Sequence, residues 1–306
     1  MSHSRSNATD RSSSDRGRRL LIALALNLAI TLAEFVGGLV SGSLALMADA
    51  AHNLSDAGSV LVSYIAWRIS LRRADRLRTF GYARAETVGA LINLTVLIVI
   101  GLYLLYEAAH RLFDPGAVAG GVMLAVGVIA LVEDAAAAWV LRTETGSLNV
   151  RSTFLHMVAD ALATLGVIGG ALAIMAWGPA AHWVDPAVTA LISGYIFFHG
   201  SREIRKAIAV LMESAPKDFD YAALLRELQA APGVAQVHHL HVWEATPGQT
   251  AIEVHLAFSE RDLGVVTRTK EHLKAILHER HNIAHATIEV ELAGRTGHDG
   301  KLIRNE

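Results

Sequence analysis

Ser43-Leu-Ala-Leu-Met-Ala-Asp49-Ala-Ala-His52-Asn-Leu-Ser-Asp56 lies at the start of a long apolar run, Leu44–Ile69. Ionisable side chains are costly in hydrocarbon and are kept there for function. His52 precedes Asp56 by four residues, about one helical turn and roughly 6 Å along the axis, so both occupy one helix face. A second apolar run, Thr153–Trp177, repeats the spacing with His156 and Asp160. Two such helices packed face to face offer two imidazoles and two carboxylates. That N2O2 set suits tetrahedral zinc. The structural alternative is His–Asp hydrogen bonding that joins helices without an ion. Two pairs, each inside an apolar run, weigh against it.

The chain contains no cysteine, which leaves His, Asp and Glu as its strong metal ligands. Imidazole donors select zinc over magnesium or calcium, which prefer all-oxygen sites. Co2+, Cd2+, Ni2+ and Fe2+ remain open as alternative substrates. Without thiolates the site is poorly suited to Cu(I). Asp49, three residues before His52, is an accessory candidate. Metal ligands must be deprotonated, and imidazole titrates near neutrality, so protons and metal compete for the same groups. This gives an expectation of metal export in exchange for protons.

Around these pairs the 306 residues are 52% hydrophobic and 18% charged. A soluble domain carries about 25% charged residues, so the deficit points to lipid. The net charge of -2 gives no sign of a nucleic-acid partner. Six segments are long enough to span a bilayer as helices: Leu20–Val40, Leu44–Ile69, Ala85–Leu112, Ala117–Leu141, Thr153–Trp177 and Pro186–Leu211. Arginines fall in the N-terminal tail (Arg16, Arg18, Arg19), in the second-to-third connection (Arg68 to Arg84), in the fourth-to-fifth (Arg142, Arg151) and at the end of the sixth span (Arg202, Arg205, with Lys206). With six spans these lie on one side, which puts both termini in the cytoplasm. The short loops and the lack of a targeting signal lean toward a bacterial inner membrane.

The expected organisation is a disordered basic tail (1–19), a six-helix transmembrane domain (20–213), a small α/β domain (214–293) and a flexible end (294–306). The α/β domain reads as helix, strand, strand, helix, strand, with an antiparallel sheet covered on one face. A turn is expected at Pro247-Gly248.

The quoted stretch resembles the second-helix signature of the cation diffusion facilitator family. Phe80-Gly81-Tyr82-Ala-Arg84-Ala-Glu86 with Asn93 is similar to that family too. So are Ser147-Leu-Asn149-Val-Arg151 before His156 and Asp160, Asp185-Pro186, and Val237-His238-His-Leu-His241-Val-Trp243. The resemblance runs from about Arg19 to Leu292. It implies a homodimer with six spans and a cytoplasmic ferredoxin-like domain that exports divalent metal against protons. It also implies His52, Asp56, His156 and Asp160 as transport ligands, and His52 resembles the zinc-preferring members.

By the same resemblance, His238, His255 and Glu291 match a zinc site at the dimer interface of the tail domain, with His285 and Glu289 near enough to contribute. The plainer alternative is a solvated polar sheet face. Strand alternation puts His239 and His241 on one face and His238 on the other. A metal there is expected to bring two tails together and couple cytoplasmic zinc to transport.

The chain departs from the family in three ways. The second-to-third connection has Asp75 but no His, so no metal is expected there. No long His-rich loop separates the fourth and fifth spans. Glu133-Asp134 replaces a neutral polar position, either facing a water-filled vestibule or serving as a relay. Glu34 either lines the path or joins helices by a hydrogen bond. His110, His182 and His199 lie near span ends and read as interfacial. An intramembrane zinc hydrolase would need an open metal position and a general base. A non-transporting sensor would not need the four intramembrane ligands. The four ligands favour a transporter over both.

Overall fold

The computed structural model describes residues 25–70, 72–114, 116–141, 148–259, 261–294 and 302. The basic segment 1–19 lies outside the described residues, as does the final segment apart from Gly294 and Leu302. The chain divides into two compact units. One runs to Ile65 and resumes over Ile92–Ile204; the other joins Ala66–Leu91 to the chain from Arg205 onward. The second-to-third connection, with the adjoining ends of the helices on either side, therefore groups with the tail.

In the first unit, α1 (Ala25–Ser41) ends at Gly42, whose φ of 72° is left-handed and costs glycine nothing. The Gly42 carbonyl accepts a 2.7 Å hydrogen bond from Arg111 Nη1. The next helices are α2 (Leu44–Ser70), α3 (Ala85–Phe113), α4 (Gly120–Leu141), α5 (Leu148–Trp177) and α6 (Val184–Leu211). At 1.5 Å per residue each is about 33 Å or longer, enough for the hydrocarbon core. The α5 helix begins five residues before the expected Thr153. Apolarity marks only the lipid-compatible part of a helix, and the polar turn Leu148–Ser152 continues it.

The first unit is inverted relative to a soluble core. Leu191 is 75% exposed and Leu162 63%, whereas Asp185, Thr189 and Ser193 are fully buried. Lipid is as apolar as leucine, so large side chains face outward, and small and polar ones pack between helices. Asp185, at the start of α6, accepts from the Ser43 hydroxyl and from the amides of Leu44 (2.9 Å) and Ala45 (3.3 Å). It therefore caps the N-terminus of α2, from 141 residues away in the case of Leu44. A carboxylate there also meets the positive end of the helix dipole. Gly58 of α2 lets α3 approach closely. A Cβ there would lie 2.8 Å from Asn93 Oδ1. The Asn93 amide donates to the Ser55 carbonyl (3.0 Å) and the Ser59 hydroxyl (2.9 Å).

The second unit contains α7 (Tyr221–Gln229), β1 (Val234–Thr246), β2 (Gln249–Phe258), α8 (Leu263–His281) and β3 (Ile283–Leu292). Asp220 caps α7 by accepting from Ala223 N at 2.8 Å, and Asp262 caps α8 by accepting from Gly264 N at 2.7 Å. Thr246 pairs with Gln249, so Pro247-Gly248 forms a two-residue hairpin, with Gly248 at φ 78°. Proline followed by a positive-φ glycine is a type II turn pattern. The sheet is mixed, in the order β1-β2-β3. The β1–β2 pair is antiparallel, but β2–β3 is parallel. This corrects the expected all-antiparallel sheet. A helix between two neighbouring strands carries the chain back to the starting edge, so they run the same way.

One sheet face packs against both helices: Leu240, Ile252, Leu256 and Phe258 meet Leu224, Leu228, Leu273 and Leu277, all essentially buried. The other face carries His238, His255, Glu289 and Glu291. In the same unit, Arg84 pairs with Glu213 (Nη2–Oε1 3.0 Å) and donates from Nε to the Ala245 carbonyl at 3.2 Å.

Candidate metal centre

Helix periodicity puts His52 and Asp56 on one face of α2, and His156 and Asp160 on one face of α5. The two faces meet. His52 Nε2 lies 3.1 Å from Asp160 Oδ1, and His156 Nε2 lies 2.9 Å from Asp56 Oδ2. Within each helix the separations are longer, 3.9 Å for His52–Asp56 and 3.7 Å for His156–Asp160. The imidazole rings stand edge to face with centroids 5.6 Å apart. One ligand atom from each residue lies within 4.8 Å of all the others. A tetrahedral zinc with bonds of about 2.0–2.1 Å holds its ligands roughly 3.3 Å apart. Closing the longest of these separations by up to about 1.5 Å through side-chain rotation fits the four groups to zinc.

The set is closed on one side. His52 and Asp160 are buried, whereas the side chains of Asp56 and His156 are 39% and 30% exposed. Tyr195 of α6 covers His52 edge-on at 6.0 Å and stacks on His199 at 5.8 Å. This tyrosine escapes a motif reading because α6 carries no ligand spacing.

Asp49 lies one turn before His52 and is buried. Its Oδ2 accepts from the Thr164 hydroxyl at 3.1 Å. Thr164 Oγ1 also lies 3.0 Å from Asp134 Oδ2 and 3.2 Å from the Asp160 carbonyl. One hydroxyl hydrogen serves one acceptor at a time, so Thr164 is shared between two buried carboxylates. Asp49 is thus outside the four-ligand set and joined to it through Thr164. Asp134 belongs to the same network. Glu34 is fully buried and accepts from Asn53 Nδ2 at 3.0 Å, the helix-joining role.

In the second unit, His238, His255 and Glu291 converge. His255 Nδ1 lies 3.1 Å from Glu291 Oε1, His238 Nε2 lies 3.4 Å from Glu291 Oε2, and His255 Nε2 lies 3.4 Å from Glu289 Oε2. His285 is not among them. It pairs with Ala251 in the strand register, four residues along β3 from Glu289, and its ring meets Phe80 at 6.2 Å. It lines a cavity of about 440 Å³ with His241, Trp243 and Glu253.

The expected facing of the β1 histidines also needs correction. His238 pairs with His255 and His241 pairs with Glu253, with a register shift between them. His239 takes φ 49° there. This bulge breaks the two-residue alternation, so His238 and His241 face the same side.

In the second-to-third connection, Asp75 Oδ1 accepts from the amides of Leu77 and Arg78, each at 2.8 Å, and Oδ2 accepts from the Tyr82 hydroxyl at 2.6 Å. Those bonds, the tyrosine's first, hold its carboxyl below the usual carboxylate range. Asp75 here orders a turn.

Residues 20–212 match the family model described as the cation efflux transmembrane domain, and residues 216–293 match that of the cation efflux protein cytoplasmic domain. The chain is 32% identical over 291 residues to a cadmium, cobalt and zinc/H(+)-K(+) antiporter of Bacillus subtilis, covering 93% of this chain and 91% of that one. It is 36% identical over 277 residues to the metal cation efflux system protein CzcD of Cupriavidus metallidurans, covering 90% and 87%. It is 34% identical over 309 residues to zinc transporter ZitB of Escherichia coli, covering 99% and 96%.

Proposed function

This chain belongs to the cation diffusion facilitator family, zinc-transporting type, and on that premise we propose that it exports zinc from the cytoplasm through His52, Asp56, His156 and Asp160 in exchange for protons. It is an integral membrane transporter of metal cations and not an enzyme. The observation that carries the site is the crossed pairing of the four groups, with His52 on Asp160 at 3.1 Å and His156 on Asp56 at 2.9 Å.

The same groups bind either cargo. Zinc needs both imidazoles neutral and both carboxylates ionised, so loading zinc releases protons and reprotonation expels zinc. The Bacillus relative's name, which includes H(+)-K(+) antiport, supports this exchange. The names of the relatives also support Cd2+ and Co2+ as alternative substrates; Ni2+ and Fe2+ rest on ligand chemistry alone.

Asp56 and His156, the half-exposed pair, lie toward the arginine-bearing ends of α2 and α5. With the positive side in the cytoplasm, that pair lies on the cytoplasmic side of His52 and Asp160. Six spans with both termini inside, and a bacterial inner membrane, complete the proposal. The helix–strand–strand–helix–strand order supports a ferredoxin-like tail, and the match at residues 216–293 supports a homodimer. His238, His255 and Glu291 supply an N2O set that fits a regulatory zinc with a fourth ligand from water or a partner.

The test is zinc flux in proteoliposomes under an imposed pH gradient. The parent chain should concentrate zinc against its gradient, and Asp56→Ala should lower the rate at least about tenfold. Flux that survives Asp56→Ala, or that ignores the pH gradient, overturns the reading.

A further inference from the structure

We propose that His239, Glu253 and His255 form a second metal position in the tail, an alternative to His238–His255–Glu291 that shares the His255 ring. One ligand atom from each of the three lies within 4.8 Å of the others. The His239 and His255 rings are 4.4 Å apart. Glu253 lies two residues before His255 on β2, on the same sheet face, opposite His241.

The second observation is backbone geometry. His239 takes φ 49° inside a β-bulge. Glycine fits that conformation freely, and of the other residues asparagine, aspartate and histidine enter it most often. The bulge aims the histidine at the ring of His255 instead of leaving it on the strand's other face. The uncommon backbone conformation thus places this side chain beside two potential ligands, His255 and Glu253.

Two imidazoles and one carboxylate suit Zn2+ or Co2+, with a fourth place for water. A neutral imidazole has one lone pair to give, so His255 serves one ion at a time. The two triads are therefore alternative seats for a single ion, and their common ring is the pivot between them. A tail with two seats for one ion holds zinc when either outer ligand set is disrupted.

The test uses the full-length protein in detergent, carrying Asp56→Ala and Asp160→Ala so that metal binding reports the tail. Zn2+ alone is the probe, read by equilibrium dialysis and by its effect on thermal unfolding. We expect one ion per chain in this background and one in Glu291→Gln, weakened less than about tenfold. Adding His239→Gly to Glu291→Gln should weaken binding at least about tenfold beyond that. His239→Gly alone should unfold at the same temperature as its parent without zinc, or higher, because glycine adopts the positive φ freely; this separates ligand loss from misfolding. The proposal is overturned if Glu291→Gln by itself abolishes the tail ion, if His239→Gly leaves zinc affinity in that variant unchanged, or if two ions bind one tail at once. None of these outcomes depends on whether the intramembrane ligands transport zinc.

Discussion

His52 lies closer to Asp160, on another helix, than to Asp56 one turn away on its own: 3.1 Å against 3.9 Å. The same holds for His156, at 2.9 Å from Asp56 and 3.7 Å from Asp160. The crossed pairs tie α2 to α5 when no zinc is present. An ion drawn between them replaces two His–Asp contacts with four bonds to one centre.

Ligand type at position 52 should set the ion preference. His52→Asp converts an N2O2 set into NO3, which suits harder cations such as Mn2+. The ratio of zinc to manganese flux in proteoliposomes should fall at least about tenfold. An unchanged ratio would mean selectivity arises outside these four groups.

Asp185 should matter for stability more than its distance from the metal ligands suggests. Asp185→Ala strips the acceptor from the Ser43 hydroxyl and from the Leu44 and Ala45 amides. A buried polar group left without a partner costs about 1–3 kcal/mol, and water entering the gap offsets part of that. We expect a loss of roughly 2–4 kcal/mol in detergent, and a smaller loss in Asp185→Asn, which keeps one acceptor oxygen. Equal thermal unfolding of all three proteins would refute the cap.

Gly58 and Asn93 should be coupled. Gly58→Ala drives a methyl into Asn93 Oδ1 and breaks the amide's bonds to Ser55 and Ser59. The cost should be about 1–2 kcal/mol. Asn93→Ala makes room, so the double variant should be more stable than the sum of the single effects predicts. Simple additivity would show that the two side chains do not contend for this space.

In the second unit, Glu227 of α7 meets His281 Nε2 at 3.0 Å and Arg280 Nη1 at 3.1 Å, both at the end of α8. These partners, His281 first, hold its carboxyl below the usual carboxylate range. A depressed folded value means the stabilisation is fully present above the unfolded value near 4.5 and is lost as pH falls through the lower folded value. The gap in thermal stability between the parent chain and Glu227→Gln should close as pH falls from about 5 into stronger acid. The pair is partly exposed, so the gap is under about 1 kcal/mol. A gap that widens in acid would reverse the assignment.

Much of the molecule could be read from local pattern. Apolar length marks the helices, and a four-residue spacing marks each His–Asp pair, because both follow from the helix repeat. The Pro247-Gly248 turn was legible for the same kind of reason: proline presets one dihedral and glycine permits the next. The parallel β2–β3 pairing was not, because strand direction depends on where α8 returns the chain. The bulge at His239 was not, because alternation carries no mark of an inserted residue. Asp185 could be singled out as part of Asp-Pro, but not as the cap of a helix 141 residues earlier. The His239–Glu253–His255 cluster depends on both the bulge and the hairpin register.

By itself the sequence determined which side chains can bind a metal and which helix face carries each pair, since both depend on residue type and a fixed 3.6-residue repeat. Only the tertiary structure decided that the pairs cross between helices, that Asp49 and Asp134 share the Thr164 hydroxyl, and that His239 turns toward His255 while His285 stays apart. Those are distances between residues far apart in the chain. They are set by packing, strand register and backbone irregularity, which no local periodicity encodes.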